Sequence, residues 1–226
     1  MKISEMNWMQ IEEYLENEDR LIFVVGATEQ HGYLSLATDV KIPMKLAEAA
    51  SEKSGVLIAP PMNFGSSPYF TSFPGTLSIK VSTLLAVIED IVKSAYTQGF
   101  RKFLVLNGHG GNSAISTSLY ELANELPEMQ ANFYSWWTQK PVEEIAKRHG
   151  LEGNHANWME AFPYTVLGDM PKKKDDPGKL HIASSMEVRK HYGDGSFGGD
   201  YLADEKVMEE IFEACLMEIM DLLEFD

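Results

Sequence analysis

The sequence of 226 residues has one cysteine and no long apolar run. A single thiol excludes a disulfide framework, and the apolar neighbours of Cys215 are typical of a buried, unreactive side chain in a reducing compartment. No apolar stretch reaches the roughly 20 residues of a membrane span, and the first residues lack the pattern of a secretory signal. We therefore expect a cytoplasmic protein with no membrane partner.

Basic residues are scarce as well. The chain has 19 Lys and Arg residues against 34 Asp and Glu, which gives a formal net charge of -15. A surface of this sign repels phosphate backbones at long range. Nucleic acid is therefore not an expected partner.

Common nucleophile and nucleotide motifs are missing too. No serine lies in a nucleophile elbow, and no phosphate-binding P-loop is present. Residues 193–198 match the dinucleotide-binding pattern by letter, but no predicted strand precedes them and no βαβ unit encloses them. We predict a loop there, and catalysis by a side-chain nucleophile has little support.

The chain does show short apolar runs between longer stretches of helical periodicity. This alternation is typical of a mainly parallel sheet covered by helices on both faces. The predicted strands are residues 21–26, 56–60, 102–106 and 131–136. The predicted helices are residues 41–54, 82–98, 113–125 and 204–224, with Gly55 and Gly99 as C-terminal caps. Between residues 154 and 199 the pattern dissolves, and we expect functional loops. The length favours a single α/β domain over residues 1–226.

Side chains suited to metal binding follow the predicted strands. Ligand sites of open α/β sheets form outside the carboxyl ends of the strands. Three carboxylates and three imidazoles lie in such segments, namely Glu29, His31, Asp39, His109, His155 and Glu160. Mixed nitrogen and oxygen ligands without thiolates suit Zn, Mn or Fe(II).

Five of these residues are enough to hold two metals that share one carboxylate. Two such ions can hold a bridging hydroxide as nucleophile and polarise a carbonyl, which leaves one histidine for proton transfer. Each residue alone also has a plainer explanation, because carboxylates often cap helices and histidines often satisfy polar contacts. His149, His181 and His191 keep that plainer explanation.

Four ordered blocks of the sequence resemble the creatininase (creatinine amidohydrolase) family. They are Glu29-Gln30-His31-Gly32 with Asp39, Phe73-Pro74-Gly75-Thr76-Leu77-Ser78, Asn107-Gly108-His109-Gly110-Gly111-Asn112, and His155-Ala156 with Glu160. A fainter similarity over residues 195–206 extends the resemblance to nearly the whole chain.

The resemblance implies a three-layer α/β/α sandwich with two divalent metal ions per chain. It implies Glu29 and His109 on one metal, His31 and Glu160 on the other, and Asp39 as the bridge. His155 and Glu160 would be the catalytic residues, with His155 transferring a proton. Relatives assemble into homo-oligomers, often hexamers, so we expect an oligomer.

The sequence departs from the family pattern at several positions. Gly111 stands where creatininase has the carboxylate of its second metal, so Glu160 has to supply that ligand. The family often has His and Glu where this chain has Phe70 and Trp158, and Thr-Ser where it has Ala161-Phe162. We expect a pocket that is more apolar and aromatic than usual. Core positions are preferred for Trp136, Trp137 and Trp158.

We predict a metal-dependent amidohydrolase that cleaves a C–N bond of a cyclic amide, a formamide or a similar small substrate through a metal-bridging hydroxide. Within the family, the alternatives are deformylation of a pyrimidine nucleotide intermediate in flavin or deazaflavin synthesis, and peptide trimming in cofactor maturation. The acidic surface disfavours a phosphorylated substrate, unless Lys41 or Arg101 supplies local positive charge. A non-catalytic binding protein on the same scaffold and a metal-free α/β protein are the other hypotheses.

Overall fold

The computed structural model describes residues 1–226 and contains seven α-helices and six strands. The helices are α1 (Trp8–Leu15), α2 (Thr38–Ser54), α3 (Val81–Gln98), α4 (Ile115–Glu125), α5 (Lys140–Arg148), α6 (Ser185–Tyr192) and α7 (Glu205–Leu222). The strands are β1 (Arg20–Val25), β2 (Leu57–Ile58), β3 (Lys102–Asn107), β4 (Gln130–Ser135), β5 (Lys173–Lys174) and β6 (Gly199–Asp200). None of the helices combines the length and the apolar content that a membrane-spanning helix requires.

Four strands form a parallel central sheet in the order β2-β1-β3-β4. Strand β1 pairs along its whole length with β3, which in turn pairs with β4. Strands β5 and β6 form a separate antiparallel ribbon. Because all the central pairings are parallel, the carboxyl ends of β1, β3 and β4 lie at the same edge of the sheet.

Both faces of the central sheet are buried under helices. Alternate side chains of β1 point to opposite faces, so Ile22 and Val24 belong to one core and Leu21 and Phe23 to the other. The first core also contains buried side chains of α2, α5 and α7, and the second contains those of α3 and α4. The result is the three-layer α/β/α sandwich that was expected. Cys215 of α7 is buried in the first core, as predicted.

The predicted central elements agree with the structure to within a few residues. Gly55 and Gly99 do cap α2 and α3, with φ angles of 75° and 122° that suit glycine.

Three helices, α1, α5 and α6, were not predicted from the sequence. Residues 154–199 contribute loops to the cavity described below, as expected, but they also contain α6 and β5. Val188 is the only buried residue of α6, so the helix carries no apolar periodicity. Its sequence signal is a capping box, in which the Ser184 side chain accepts from the backbone N–H of Glu187. The same signal precedes α1, at Asn7 and Gln10.

Candidate metal centre

Two glycines allow the start of α2 to approach the ends of β1 and β3. A Cβ at Gly26 or Gly108 would overlap the backbone carbonyl of Asp39, which lies in the first turn of α2. The backbone N–H of Gly108 also donates to the carbonyl of Val25 at 2.9 Å. The close approach places the Asp39 side chain over the edge of the sheet, between the loops that follow β1 and β3.

The structure brings together the five side chains that the sequence predicts as metal ligands. Asp39 lies between the two imidazoles, with Oδ1 2.9 Å from His31 Nε2 and Oδ2 3.0 Å from His109 Nδ1. Glu29 Oε2 is 3.6 Å from His109 Nε2, and Glu160 Oε1 is 3.7 Å from His31 Nε2. Three groups of residues each have their ligand atoms within 4.8 Å of one another. Two of them, Glu29-Asp39-His109 and His31-Asp39-Glu160, consist of the predicted ligands and share Asp39, and the third is Glu29-His31-His155.

Backbone carbonyls orient the two imidazoles. His31 Nδ1 lies 3.0 Å from the carbonyl of Glu29, and His109 Nε2 lies 2.9 Å from the carbonyl of Ser66. If each of these nitrogens donates its proton, the other nitrogen of each ring presents a lone pair to Asp39. Metal-bound histidines are held in this way by a partner on the far nitrogen.

The donor set fits divalent cations. Three buried side-chain atoms of the cluster, Glu29 Oε2, His31 Nε2 and Asp39 Oδ2, have no hydrogen-bond partner. Buried polar atoms without partners are costly, and a cation between them removes that cost. Nitrogen and carboxylate donors without a thiolate are also the set expected for Zn, Mn or Fe(II).

The electrostatics of the cluster also show a need for positive charge beside the carboxylates. Burial raises the pKa of Glu29 to about 7. Burial acts against the charged form of His109, but the carboxylates of Asp39 and Glu29 outweigh it and raise the pKa of His109 to about 9. Burial likewise opposes ionisation of Asp39, yet the two imidazoles hold the pKa of its carboxyl below the ordinary value. The buried carboxylates therefore need positive charge beside them, which either protons on the imidazoles or metal ions can supply.

His155 lies beside the five clustered residues. Its Nδ1 is 3.9 Å from Glu29 Oε1, and its ring centroid is 4.6 Å from that of His31. The ring of Phe70 stacks on it at a centroid distance of 4.8 Å and an interplanar angle of 18°. Burial lowers the pKa of His155 to about 4, so the imidazole is neutral near pH 7. Glu160 is held nearby, because its Oε2 accepts from the backbone N–H of Ala156 at 2.6 Å.

A cavity of about 520 Å³ opens over the cluster. Glu29, Asp39, His109, His155 and Glu160 all contribute to its lining. Its aromatic residues are Tyr69, Phe70, Trp137, Tyr192 and Phe197. No lysine or arginine lines it. The lining is therefore rich in aromatic and acidic side chains and offers no lysine or arginine to an anionic ligand.

The tryptophans divide between core and cavity. Trp136 and Trp158 are buried in the core, as predicted, and Trp158 Nε1 donates to the carbonyl of Glu152 at 2.8 Å. Trp137 is partly buried against the same core and also lines the cavity, so the core prediction holds for it only in part.

The plainer explanation of the three remaining histidines holds for two of them. His149 Nε2 is 3.2 Å from a carboxylate oxygen of Glu210, and His191 Nε2 is 2.9 Å from the carbonyl of Gly178. His181 instead lies in the exposed part of the cavity lining, where it was not expected.

Gln30 was given no role by sequence reasoning, although it stands between two predicted ligands. Its side chain is buried, and its amide nitrogen lies 2.8 Å from Nε2 of His155. No periodicity or motif predicts this contact, because the two residues are 125 positions apart.

The chain is similar to known proteins over nearly its whole length. A family model described as "Creatininase: Creatinine amidohydrolase" matches residues 4–223. The chain belongs to the creatininase family.

Several curated proteins are similar to this chain in sequence. "3-Dehydro-scyllo-inosose hydrolase" of Thermotoga maritima is 30% identical over 163 residues, which cover 70% of this chain and 49% of that protein. "Creatinine amidohydrolase" of Pseudomonas putida is 30% identical over 128 residues, which cover 54% and 49%. "Mycofactocin precursor peptide peptidase" of Mycolicibacterium smegmatis is 37% identical over 95 residues, which cover 39% and 38%. The chain thus spans about half the length, or less, of the curated relatives that it matches.

Solved creatininase structures share the fold. One named "Creatininase Mn" superposes with a TM-score of 0.79 at 24% identity and covers 99% of this chain and 97% of that one. A mutant creatininase of "Zn-Zn type" superposes with a TM-score of 0.78 at 23% identity and covers 99% and 96%. At this level of identity the likeness shows the creatininase fold and no more.

Proposed function

We propose that this chain is a metal-dependent amidohydrolase that cleaves a C–N bond of a small amide, either a cyclic amide or a formamide. The observation that carries the proposal is the pair of ligand groups that share Asp39 within the lining of one cavity. Glu29 and His109 would hold one ion, and His31 and Glu160 the other. Ions bound there would activate a water molecule and polarise the amide carbonyl.

The metals of the proposal are Zn, Mn or Fe(II). The donor set supports all three, and two of the similar solved structures are named for Mn and for Zn. We also propose that the chain acts as a single cytoplasmic domain and assembles into homo-oligomers. These last points rest on the sequence and on the family.

His155 is the side chain placed to act on the substrate beside the ions. It faces Glu29 across 3.9 Å and contributes to the cavity lining. An imidazole in this place can transfer a proton to the leaving nitrogen, or donate a hydrogen bond to the carbonyl oxygen as that oxygen gains negative charge. Glu160, the other predicted catalytic residue, would bind an ion and help to hold the water that attacks.

The cavity favours a substrate without phosphate. The two basic residues that could have offset the acidic surface are engaged elsewhere. Lys41 Nζ donates to the carbonyl of Tyr164 at 3.1 Å, and Arg101 donates to the backbone carbonyls of Tyr96 and Phe100. A pyrimidine nucleotide would bring a phosphate to a pocket with no cation from the chain, which counts against the deformylase alternative. Aromatic walls favour a flat or apolar substrate body.

The test is hydrolysis by protein that has been stripped with a chelator and reloaded with Zn or Mn. We expect metal-dependent turnover of at least one uncharged amide among creatinine, aryl formamides and short peptides, and much slower turnover of a phosphorylated formamide. The control variant is Glu29→Gln, which removes one proposed ligand charge while keeping the side-chain size. Two bound ions without turnover of any amide would favour the non-catalytic binding protein. Absence of metal after purification without chelators would favour the metal-free hypothesis.

A further inference from the structure

The amide of Gln30 is fixed in one orientation by backbone groups. Its Oε1 accepts from the N–H of Gly32 at 3.1 Å, and its Nε2 donates to the carbonyl of Gly195 at 3.2 Å. Turning the amide over would place Oε1 against a carbonyl oxygen and Nε2 against an N–H. Both contacts would then be repulsive, so the backbone settles which atom is the nitrogen.

This orientation determines the form of His155. Gln30 Nε2 lies 2.8 Å from His155 Nε2. An amide nitrogen can only donate, so the imidazole nitrogen facing it has to accept and carries no proton. In the neutral ring, the proton is then on Nδ1, the nitrogen that faces Glu29 and the metal cluster.

The loop that holds Gln30 is itself well anchored. A Cβ at Gly195 would overlap the Gln30 amide, so this glycine permits the close contact. Lys174 Nζ donates to the carbonyl of Ser196 at 2.7 Å and pairs with Asp194, while the N–H of Phe197 donates to the carbonyl of His155 at 3.1 Å. Residues 193–198, which match a dinucleotide-binding pattern by letter, therefore help to hold Gln30 and His155 in place.

We infer that Gln30 is a positioning residue that holds His155 as its Nδ1–H tautomer, so that His155 donates a hydrogen bond to the reacting carbonyl oxygen instead of carrying a proton. The proton that the leaving nitrogen gains when the C–N bond breaks then comes from the attacking water. A ring with its proton on Nδ1 cannot accept another at that nitrogen, and Nε2 is already used by the Gln30 amide. The inference rests on the proposed function for the identity of the reacting group. The tautomer itself does not depend on it.

The first test is the tautomer of His155, measured by long-range 1H–15N NMR on histidine-labelled protein in its metal-free and zinc-loaded forms. The His155→Asn variant assigns the signal by its loss. We expect Nδ1 protonated and Nε2 unprotonated in both forms of the wild type. In Gln30→Glu, a carboxylate accepts in place of the amide donor, so we expect the proton to move to Nε2. A wild-type ring with its proton on Nε2 would overturn the inference.

The second test separates hydrogen-bond donation from proton transfer. An asparagine amide nitrogen can take the place of Nδ1–H but cannot shuttle a proton. We expect His155→Asn to keep kcat within about 10-fold of the wild type, and His155→Ala to lose about 100- to 1000-fold, the usual effect of removing one donor to a developing oxyanion. Equal losses in both variants would overturn the donor role.

The third test concerns Gln30 itself. Gln30→Glu should lower kcat by about 100-fold with a much smaller change in KM, because the donor then points away from the substrate. A zinc content at the wild-type level would show that the metal site is intact. Gln30→Met can neither donate nor accept a hydrogen bond, and its kcat should lie between those of the wild type and Gln30→Glu. An unchanged kcat in Gln30→Glu would contradict the positioning role. If the wild type hydrolyses no amide at all, the proposed function fails, while the NMR measurement still decides the tautomer.

Discussion

Asp39 Oδ1 lies 2.9 Å from Nε2 of His31, on a ring whose other nitrogen faces a backbone carbonyl. The second carboxylate oxygen of Asp39 faces His109 at 3.0 Å in the same way. One side chain in the first turn of α2 therefore links two groups of ligands, which come from the loops after β1 and β3 and from the segment that holds Glu160. Metal binding by the two groups should depend on this residue more than on any other.

Replacing Asp39 by asparagine should remove both metal ions. The change keeps the shape of the side chain but deletes the charge that both groups share, so neither retains two carboxylates. We expect the metal content, measured by elemental analysis, to fall from two ions per chain to nearly none and the amidohydrolase activity to be lost. The surface variant Asp90→Asn on α3 is the matched control and should keep both ions. Two ions per chain in Asp39→Asn would exclude Asp39 as the bridge.

The unshared carboxylates should act separately. Glu29 belongs to the group with His109, and Glu160 to the group with His31. We therefore expect Glu29→Gln and Glu160→Gln each to retain about one ion, and the double variant to retain none. A calorimetric titration with zinc should show one tight binding site in each single variant. Loss of both ions from either one would mean that the two groups do not bind independently.

Metal binding should strengthen as the pH rises. In the metal-free protein the pKa of His109 is raised to about 9 and that of Glu29 to about 7, and both groups have to lose their protons to bind an ion. Zinc affinity should therefore increase from pH 6 to pH 8.5. Calorimetry in two buffers of different ionisation enthalpy should show proton release on binding. An affinity that is constant over this range would contradict the prediction.

The stability of the metal-free protein should change in the opposite direction. A raised folded-state pKa stabilises the fold fully below the unfolded value, which is 6.5 for His109 and 4.5 for Glu29. That contribution is lost as the pH rises through about 7 for Glu29 and about 9 for His109. The lowered pKa of His155 acts in the opposite direction below pH 6.5. We therefore expect the Tm of chelator-treated protein to fall mainly between pH 6.5 and pH 9, while the increase in Tm on adding zinc becomes larger. A zinc effect that shrinks with pH would be the contrary result.

Much of the fold could be predicted because the central strands are buried on both faces. Burial of both faces leaves continuous apolar runs such as those of β1 and β3, and these place the ligand-rich loops at one sheet edge. Glu29, His31, Asp39 and His109 follow from that argument. Glu160 was also among the candidate ligands, but its assignment to the second metal came from the family resemblance.

The aromatic wall and the contact of Gln30 with His155 could not be predicted in this way. Tyr192 and Phe197 reach the cavity from α6 and the loop after it, where burial of a single residue leaves no periodic pattern. The Gln30 contact depends on loop conformation between distant segments, and no local pattern in the sequence encodes it. Trp137, two residues after β4, contacts both the core and the cavity, and the sequence predicted only the first of these contacts.

The metal site should also depend on the glycines after β1 and β3, because the absence of a side chain there lets α2 come close to the sheet. A Cβ at Gly108 would overlap the Asp39 carbonyl, so Gly108→Ala has to push α2 away from β3. We expect a loss of about 1–3 kcal/mol in the free energy of unfolding, measured with urea, together with weaker zinc binding, because the carboxylate moves with the helix. Gly110→Ala is the matched control, since a Cβ there meets nothing within 4 Å. It should change the stability by no more than about 1 kcal/mol and leave zinc binding intact. If the two variants had the same stability and zinc affinity, the close approach of α2 to the end of β3 would not be what positions Asp39.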